Sequence, residues 1–386
     1  MAFRSITKME KKIRFIEAVC KGDESFSELC RENEISRKNG YKWLSRYEEK
    51  GLAGLEDRSR RPHRCRHETS AEIIQAIVEE KLKHLKWGPK KIRARLMRNG
   101  YQEGVPSTRT VSNILGRHHL VNHRKKRTQY RSISGGIERP NAQHANEIWA
   151  VDFKGWFKTR DGKRCDPLTI TDLYSRYIIA CELAASQKYK DVQPIFEAVF
   201  KRYGLPKRIR SDNGSPFSTR GFGHLSKLSV WWMTLGIELE RIEPGKPEQN
   251  GQHERMHKTL KEDVANKPAK DRKAQQKVLD QWKKEFNEER PHEGIGMKYP
   301  QDLYAPSSRQ YKAKMSQITY PKYYAVRKVD TSGHFYWEGQ SIFVGEALNQ
   351  ISIGLRREDD SLYWVYFDKI HIANLDTETM KLTKIY

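Results

Sequence analysis

Three carboxylates stand out against a basic chain. Asp152 lies in Trp149-Ala-Val-Asp152-Phe153, an apolar and aromatic run in which a charged group is costly unless something partners it. Asp212 follows the short run Arg208-Ile-Arg210 and begins Asp212-Asn-Gly214. Glu254 opens a helical stretch after Pro247-Glu-Gln-Asn-Gly-Gln-His253. Taken singly, the last two have ordinary explanations, since Asp-Asn-Gly is a common turn and Glu254 could be a surface helix residue. Taken together, three carboxylates from separate segments are what hard Mg²⁺ or Mn²⁺ ions require. Two such ions, about 3.5–4 Å apart, can activate a water or hydroxyl and stabilise the leaving oxygen at a phosphodiester. No Cys/His quartet with zinc spacing is present, and His253 and His257 do not read as zinc ligands.

Positioning such acids needs a rigid frame, and the surrounding pattern predicts one. Residues 147–157 alternate as a strand, Asp161-Gly162 marks a hairpin turn, and 165–173 and 177–184 read as two more strands. Helical spacing follows over 190–203, ended by Gly204-Leu-Pro206, then a strand at 208–210, a helix at about 223–235 and a strand at 237–241. Helices are predicted from Glu248 to about Val264 and over 271–289. Antiparallel strands followed by alternating helices and strands imply a mixed-sheet α/β domain.

The flanks differ in texture. Ile6, Met9, Ile13, Ile16 and Val19 have helical spacing, Ser25 caps a short helix holding Phe26, Leu29 and Cys30, and Ser36 caps one carrying Tyr41, Trp43, Leu44 and Tyr47. That is a helix-turn-helix outline, with Arg37, Lys38, Asn39 and Lys42 on the exposed side of its second helix. It recurs as a helix over 70–85 (Ile73, Ile74, Ile77, Val78, Leu82), a helix begun by Pro89, and one capped by Ser107 with Arg109 and Asn113 on its polar side. After Tyr311 the pattern is all-β: Tyr320–Arg327, His334–Trp337, Gln340–Phe343, Gln350–Leu355 and Leu362–Phe367 are short strands, which suggests a small barrel.

The 386 residues carry a formal charge of +24, which points to a polyanionic partner, most naturally nucleic acid. Residues 1–150 hold 33 basic and 18 acidic residues, a net of +15, against +9 for the rest. The densest runs, Arg58-Ser-Arg60-Arg61-Pro-His-Arg-Cys-Arg66 and Arg124-Lys125-Lys126-Arg127, lie between helical patterns and read as linkers able to follow a phosphate backbone. With 9 Trp, 18 Tyr and 13 Phe the chain is not wholly disordered, and no apolar run is long enough to span a membrane. Five cysteines without a C-x-x-C pair fit free thiols in a reducing cytoplasm.

Trp149-Ala-Val-Asp152-Phe, Ser211-Asp212-Asn-Gly214 and Pro244-Gly-Lys-Pro-Glu-Gln-Asn250-Gly-Gln-His-Glu254-Arg resemble, in order, the three signature blocks of the DDE integrase-core superfamily. Phe286-Asn-Glu-Glu-Arg-Pro-His292 and Tyr299-Pro300 resemble its C-terminal core signature. The resemblance covers about residues 145–305, and the upstream helix-turn-helix pairs fit the insertion-sequence transposase branch. It implies an RNase H-like core in which Asp152, Asp212 and Glu254 are both the catalytic residues and the ligands of two Mg²⁺, with Mn²⁺ as a substitute. A family spacing of about 35 residues would select Glu248, but the Gln-Asn-Gly-x-x-Glu block selects Glu254, with 41 residues between it and Asp212. Glu248, after Pro247, reads as a helix-capping residue. Lys258 and Lys261 share the helix face of Glu254, where family members hold DNA ends, and Asn250 is expected to shape the DNA-facing loop.

The expected organisation is multidomain: a helix-turn-helix domain (1–57), a basic linker (58–69), a second helix-turn-helix domain (70–121), a basic linker (122–144), an α/β RNase H-like catalytic core (145–311) and a small all-β barrel (318–386). The expected function is that of a DNA transposase that binds terminal inverted repeats, cleaves 3′ ends and transfers them into target DNA. Its expected setting is a homodimer or larger homo-oligomer on double-stranded transposon-end and target DNA, in a bacterial cytoplasm at the nucleoid, without a membrane. Two rivals stand beside it: a DNA-binding regulator with an inactive core, and an RNase H-like structure-specific nuclease that cleaves without joining.

Overall fold

The computed structural model describes residues 7–57, 68–101, 104–121, 142–243, 247–313 and 318–385. The chain forms two compact units, divided after Glu68.

In the first unit the helices are α1 (Lys8–Lys21), α2 (Phe26–Glu32) and α3 (Arg37–Lys50). Local chemistry sets their ends. Thr7 with Glu10, and Ser25 with Glu28, form reciprocal capping boxes, and the Ser36 hydroxyl accepts the Asn39 N–H. Phe15, Ile16, Leu29, Cys30 and Leu55 make the core, with Phe26 and Trp43 edge-on to Phe15. Gly40 lets α3 approach closely, because a Cβ there would lie 2.9 Å from Cys30 Sγ and about 3 Å from both phenylalanine rings. Tyr41 departs from expectation: it is exposed and stacks its ring on Phe26 rather than entering the core.

The second unit begins with α4 (Ala71–Lys83), α5 (Pro89–Arg98) and α6 (Thr108–Arg117) around Ile77, Trp87, Ile92, Leu96, Val111, Ile114 and Leu115. Ser70 and Ser107 cap α4 and α6, and Pro89 occupies the first turn of α5. Leu82 was expected inside and is exposed. The last turn of α4 instead buries Glu80 and Lys81: Glu80 faces His84 and Arg95, and Lys81 donates to the Leu85 and Trp87 carbonyls.

The mixed sheet contains β1 (Ile148–Phe153), β2 (Phe157–Lys158), β3 (Arg164–Asp172), β4 (Ile178–Ala184), β5 (Arg208–Ser211) and β6 (Glu238–Arg241). β3 pairs antiparallel with β4, β1 and β2, while β1, β5 and β6 run parallel. α7 (Tyr189–Tyr203) and α8 (Lys227–Thr234) bury Phe196, Phe200, Trp231 and Trp232 with Trp149, Val151, Leu168 and Ile170. Across the sheet, α9 (Gly251–Leu260) and α10 (Arg272–Glu288) bury Met256, Leu260, Leu279, Trp282 and Phe286 against Ile178 and Cys181. The helix expected from Glu248 is α only from Gly251; a 3₁₀ turn precedes it and a π turn follows.

The C-terminal region is all-β. β7 (Tyr324–Lys328), β10 (Ser352–Arg357), β11 (Leu362–Phe367), β12 (Ile370–Asp376) and β13 (Lys381–Thr383) form one antiparallel sheet, and β8 (His334–Trp337) pairs with β9 (Gln340–Phe343) as a hairpin. The sequence reading missed β12 and β13 and began β7 at Tyr320. Tyr320 instead precedes the strand and donates its hydroxyl to the Ser352 carbonyl. This region shares a core with the mixed-sheet domain, because Leu225, Val230 and Met233 pack with Val329, Phe335, Val365 and Ile372. Cys20, Cys30, Cys165 and Cys181 are free thiols, and Cys65 lies outside the described residues.

Candidate active site

Strand register brings the first two acids together. β1 and β5 are parallel neighbours, with Ala150 opposite Arg210. Asp152 and Asp212 each stand two residues further on, so they leave adjacent strands side by side, on strands spaced about 5 Å apart. Glu254 lies in the first turn of α9, facing solvent, and its charge reaches Asp152. Burial and then the neighbouring Asp212 push the Asp152 carboxyl up to about 7, and Glu254 adds to the rise. Burial raises Asp212 as well, offset by the Gly214 N–H that donates to its carboxylate. Gly214 leaves room for the carboxylate: a Cβ there would sit 2.9 Å from Asp212 Oδ2 and turn that side chain away. Asn213 ties the same turn to the end of β6 by donating to the Ile242 carbonyl at 2.8 Å.

No basic side chain among the described residues forms an ion pair with Asp212 or Glu254. Clustered hard oxygen donors that still repel one another, with only Lys154 acting against the rise at Asp152, fit a divalent cation. Lys154, two residues beyond Asp152, was not singled out from sequence. It is partly buried, its ammonium is lowered by burial and by nearby Lys261, and Asp152 acts in the opposite sense. Lys261 is thus near Lys154, while Lys258, one turn beyond Glu254, is exposed on the same helix.

Beneath Asp152 is a buried polar network that sequence reasoning also missed. Thr169 lies opposite Asp152 on β3, and its hydroxyl is 2.9 Å from the Asp152 carbonyl, 2.8 Å from His253 Nε2 and 2.7 Å from His257 Nε2. A hydroxyl has one proton, and a carbonyl only accepts. All three contacts are satisfied only if Thr169 donates to the carbonyl and accepts an N–H from each imidazole. His253 Nδ1 then accepts from the Thr171 hydroxyl at 2.8 Å. His257 Nδ1 is left with a lone pair 3.7 Å from Asp152 Oδ2, so the two do not form an ion pair. Burial holds His257 near 2 and His253 near 3, which keeps both rings neutral. One ligating atom from each of Asp152, His253 and His257 lies within 4.8 Å of the others. Both His253 nitrogens are occupied by threonines, which leaves the Asp152 carboxylate and His257 Nδ1 available. The signal was present as i, i+4 histidines on the buried face of α9 and i, i+2 threonines on one face of β3.

Of the residues expected to meet DNA, Arg37, Lys38, Asn39 and Lys42 are exposed on α3, and Arg109 and Asn113 on α6. Asn250 is buried, with its Oδ1 unpartnered, and does not face outward. Arg58, Arg60, Arg61, Arg124, Lys125, Lys126 and Arg127 lie outside the described residues, as does the Glu248 side chain.

Strand order, flanking helices and the placing of the acids define an RNase H-like integrase core, preceded by helix-turn-helix bundles. The sequence matches the Integrase core domain families over residues 142–247 and 235–300, a Helix-turn-helix domain over 11–63 and a Homeodomain-like domain over 39–115. Residues 324–383 match the IS481 family transposase C-terminal domain. The chain thus carries the domain set of an insertion-sequence transposase. It is 26% identical to the Insertion element IS407 uncharacterized 31.7 kDa protein of Burkholderia multivorans, over 42% of this chain and 56% of that one. It is 22% identical to the Transposase for insertion sequence element IS904 of Lactococcus lactis, over 62% of this chain and 97% of that one. The HTLV-2 integrase catalytic core domain aligns with 42% of this chain and 99% of its own, at 13% identity and a TM-score of 0.33. The chain spans about half the length of the curated relatives it matches first. No helix among the described residues is long and apolar enough to cross a membrane.

Proposed function

We infer that this protein is a DNA transposase that cleaves the 3′ ends of its element and joins them to target DNA. The observation that carries this reading is the nearness of Asp152 on β1 and Asp212 at the end of its parallel neighbour β5, with the Asp152 carboxyl driven up to about 7 by burial, Asp212 and Glu254. Asp152, Asp212 and Glu254 would hold two Mg²⁺, or Mn²⁺ in their place. Bound there, such ions supply charge stabilisation for the oxygens of a phosphodiester. The protein's own groups orient the reaction: the Thr169 network fixes the β1 backbone and α9, Asn213 fixes the turn after Asp212, and Lys154 and Lys261 hold backbone phosphate beside the acids. In the first reaction water attacks the end phosphodiester and the 3′ oxygen leaves as a hydroxyl. In the second that hydroxyl attacks a target phosphodiester, so one P–O bond forms as another breaks and no external energy source is needed.

Residues 1–57 and 70–121 would recognise the element ends through Arg37, Lys38, Asn39 and Lys42 and through Arg109 and Asn113. The linkers 58–69 and 122–144 would contact backbone phosphate, with residues 145–311 as the catalytic core and 318–386 as the C-terminal domain. Pairing two ends requires a dimer or larger oligomer on DNA, working at the nucleoid in the cytoplasm. The test is a strand-transfer assay with labelled end DNA, Mg²⁺ and plasmid target. Joined product is expected; binding without cleavage would favour the regulator, and cleavage without joining the nuclease. Glu254→Gln should keep end binding and lose both reactions, whereas Glu248→Gln should retain them. Cleavage surviving Glu254→Gln would sink the site assignment.

A further inference from the structure

On the flank of α9 lies a second, basic cleft of about 410 Å³. Its basic walls come from Arg176 after β3, Arg255 and Lys258 on α9, Arg290 and His292 after α10, and Lys91 on α5, with Lys86, paired to Asp263, before that helix. Arg290 pairs with Asp263, but Lys91, Arg176, Arg255 and Lys258 make no ion pair among the described residues. Of the three acids in its lining, Glu262 acts on Arg290 and the other two are engaged by neighbours. Asp172 accepts from the Ser175 N–H and hydroxyl and from the Asn146 N–H, and Glu293 pairs with Lys90. Basic side chains still outnumber acids in the lining. Lys91 is lowered to about 8 by burial and by Arg290, with Asp263 and Glu293 opposing; Arg176 is lowered by burial and by Arg255, with Asp172 opposing; and His292 is held neutral by burial with Lys91 and Arg290 beside it. Partly buried like charges destabilise a free protein, and an anion at their centre reverses that cost.

Two features indicate the anion's source. Forked guanidinium donors converge here, which suits a phosphate. Lys258 sits four residues beyond Glu254, about 6 Å along the helix axis, so this side of the cleft lies one helical turn from Glu254. We propose that this cleft binds backbone phosphates of the DNA strand whose reacting end lies at Asp152, Asp212 and Glu254, gripping it between α9, residues 290–292 and α5. This rests on the transposase reading and adds to it a strand-holding site built jointly by the second helical bundle and the core.

The test is metal-free binding of the full chain to duplex DNA across a salt series, which needs no cleavage. Each phosphate contact contributes about 0.9 to the slope of log K against log salt. Arg176→Gln with Arg255→Gln should flatten the slope by about 2, with the free protein melting no lower than before because repulsion has been removed. Arg255→Gln alone, at an exposed position, should flatten it by about 1 and guards against misfolding. Lys273→Gln with Lys284→Gln, two exposed positions on α10, should leave the slope unchanged. An unaltered slope in the arginine variants, or equal flattening in the lysine control, would overturn the cleft. So would inorganic phosphate raising the melting temperature of the unmodified chain alone while DNA binding is unaffected, which would mark a free-anion site. Failure of the unmodified chain to bind duplex DNA would sink the transposase reading, and the cleft with it.

Discussion

Asp152 shows how one residue's surroundings set its chemistry. An exposed aspartate would ionise near 3.8, and here the carboxyl is held up to about 7. Below both values it is protonated whether the chain is folded or not, and the fold has its full stability. As pH rises toward 7 the unfolded chain ionises freely and the folded site resists, so stability falls until both states are charged. The metal-free protein should therefore melt lower at pH 8 than at pH 5. Asp152→Asn should remove much of that difference, as checked by calorimetry of both proteins at both values. A cation binds the ionised form, so Mn²⁺ affinity should rise with pH up to about 7 and then level, with proton release seen by titration calorimetry in buffers of different ionisation enthalpy. The acids themselves were legible in the sequence, because a carboxylate in an apolar strand needs a reason. Lys154 was not, since one lysine among many carries no signal until a strand end places it beside Asp152.

At the scale of elements, polar groups fix α9 to β3, while Met256 and Leu260 pack with Ile178 and Cys181 of β4. Thr169 serves two imidazole N–H groups and the Asp152 carbonyl, so its removal leaves three buried groups short of a partner. Thr169→Val should destabilise the second unit by about 2–4 kcal/mol, while Thr169→Ser, which keeps the hydroxyl, should cost about 1 kcal/mol or less. Denaturant midpoints of the two variants provide the check; equal losses would mean that the hydroxyl is not what matters. The helices themselves were largely legible, because Ser25, Ser36, Ser70 and Ser107 cap backbone groups only three residues away. The seat of α9 was not: i, i+4 histidines look alike whether they meet threonines, a metal or solvent.

At the scale of the molecule, the second helical bundle is docked on the mixed-sheet domain by charge. Arg98 makes a two-pronged bond to Asp302 and lies 4.1 Å from the Tyr299 ring centroid, Arg95 pairs with Glu289, Lys86 with Asp263 and Lys90 with Glu293. These pairs are partly exposed and salt-screened, so each is worth little alone. Arg95→Ala with Arg98→Ala should loosen α5, seen as faster amide hydrogen exchange there, with only a small fall in the melting temperature of the mixed-sheet core. Unchanged exchange in α5 would show that apolar contacts hold the bundle. The charge of +24 is thus partly spent within the fold: some of the bundle's arginines and lysines neutralise acids of the core, while Lys91, Arg176, Arg255 and Lys258 around the cleft make no ion pair among the described residues.

By itself the sequence determined the kinds of element, most of their ends, the three acids and the domain order. Those features rest on interactions spanning a few residues, or on residue types that need a reason wherever they occur. Tertiary structure decided that Asp152 and Asp212 are neighbours, that two histidines share one threonine, that the C-terminal sheet shares its core with α8, and that six basic side chains from separate segments line one cleft. Each of these depends on strand register or helix docking between distant segments, and no local pattern carries that information.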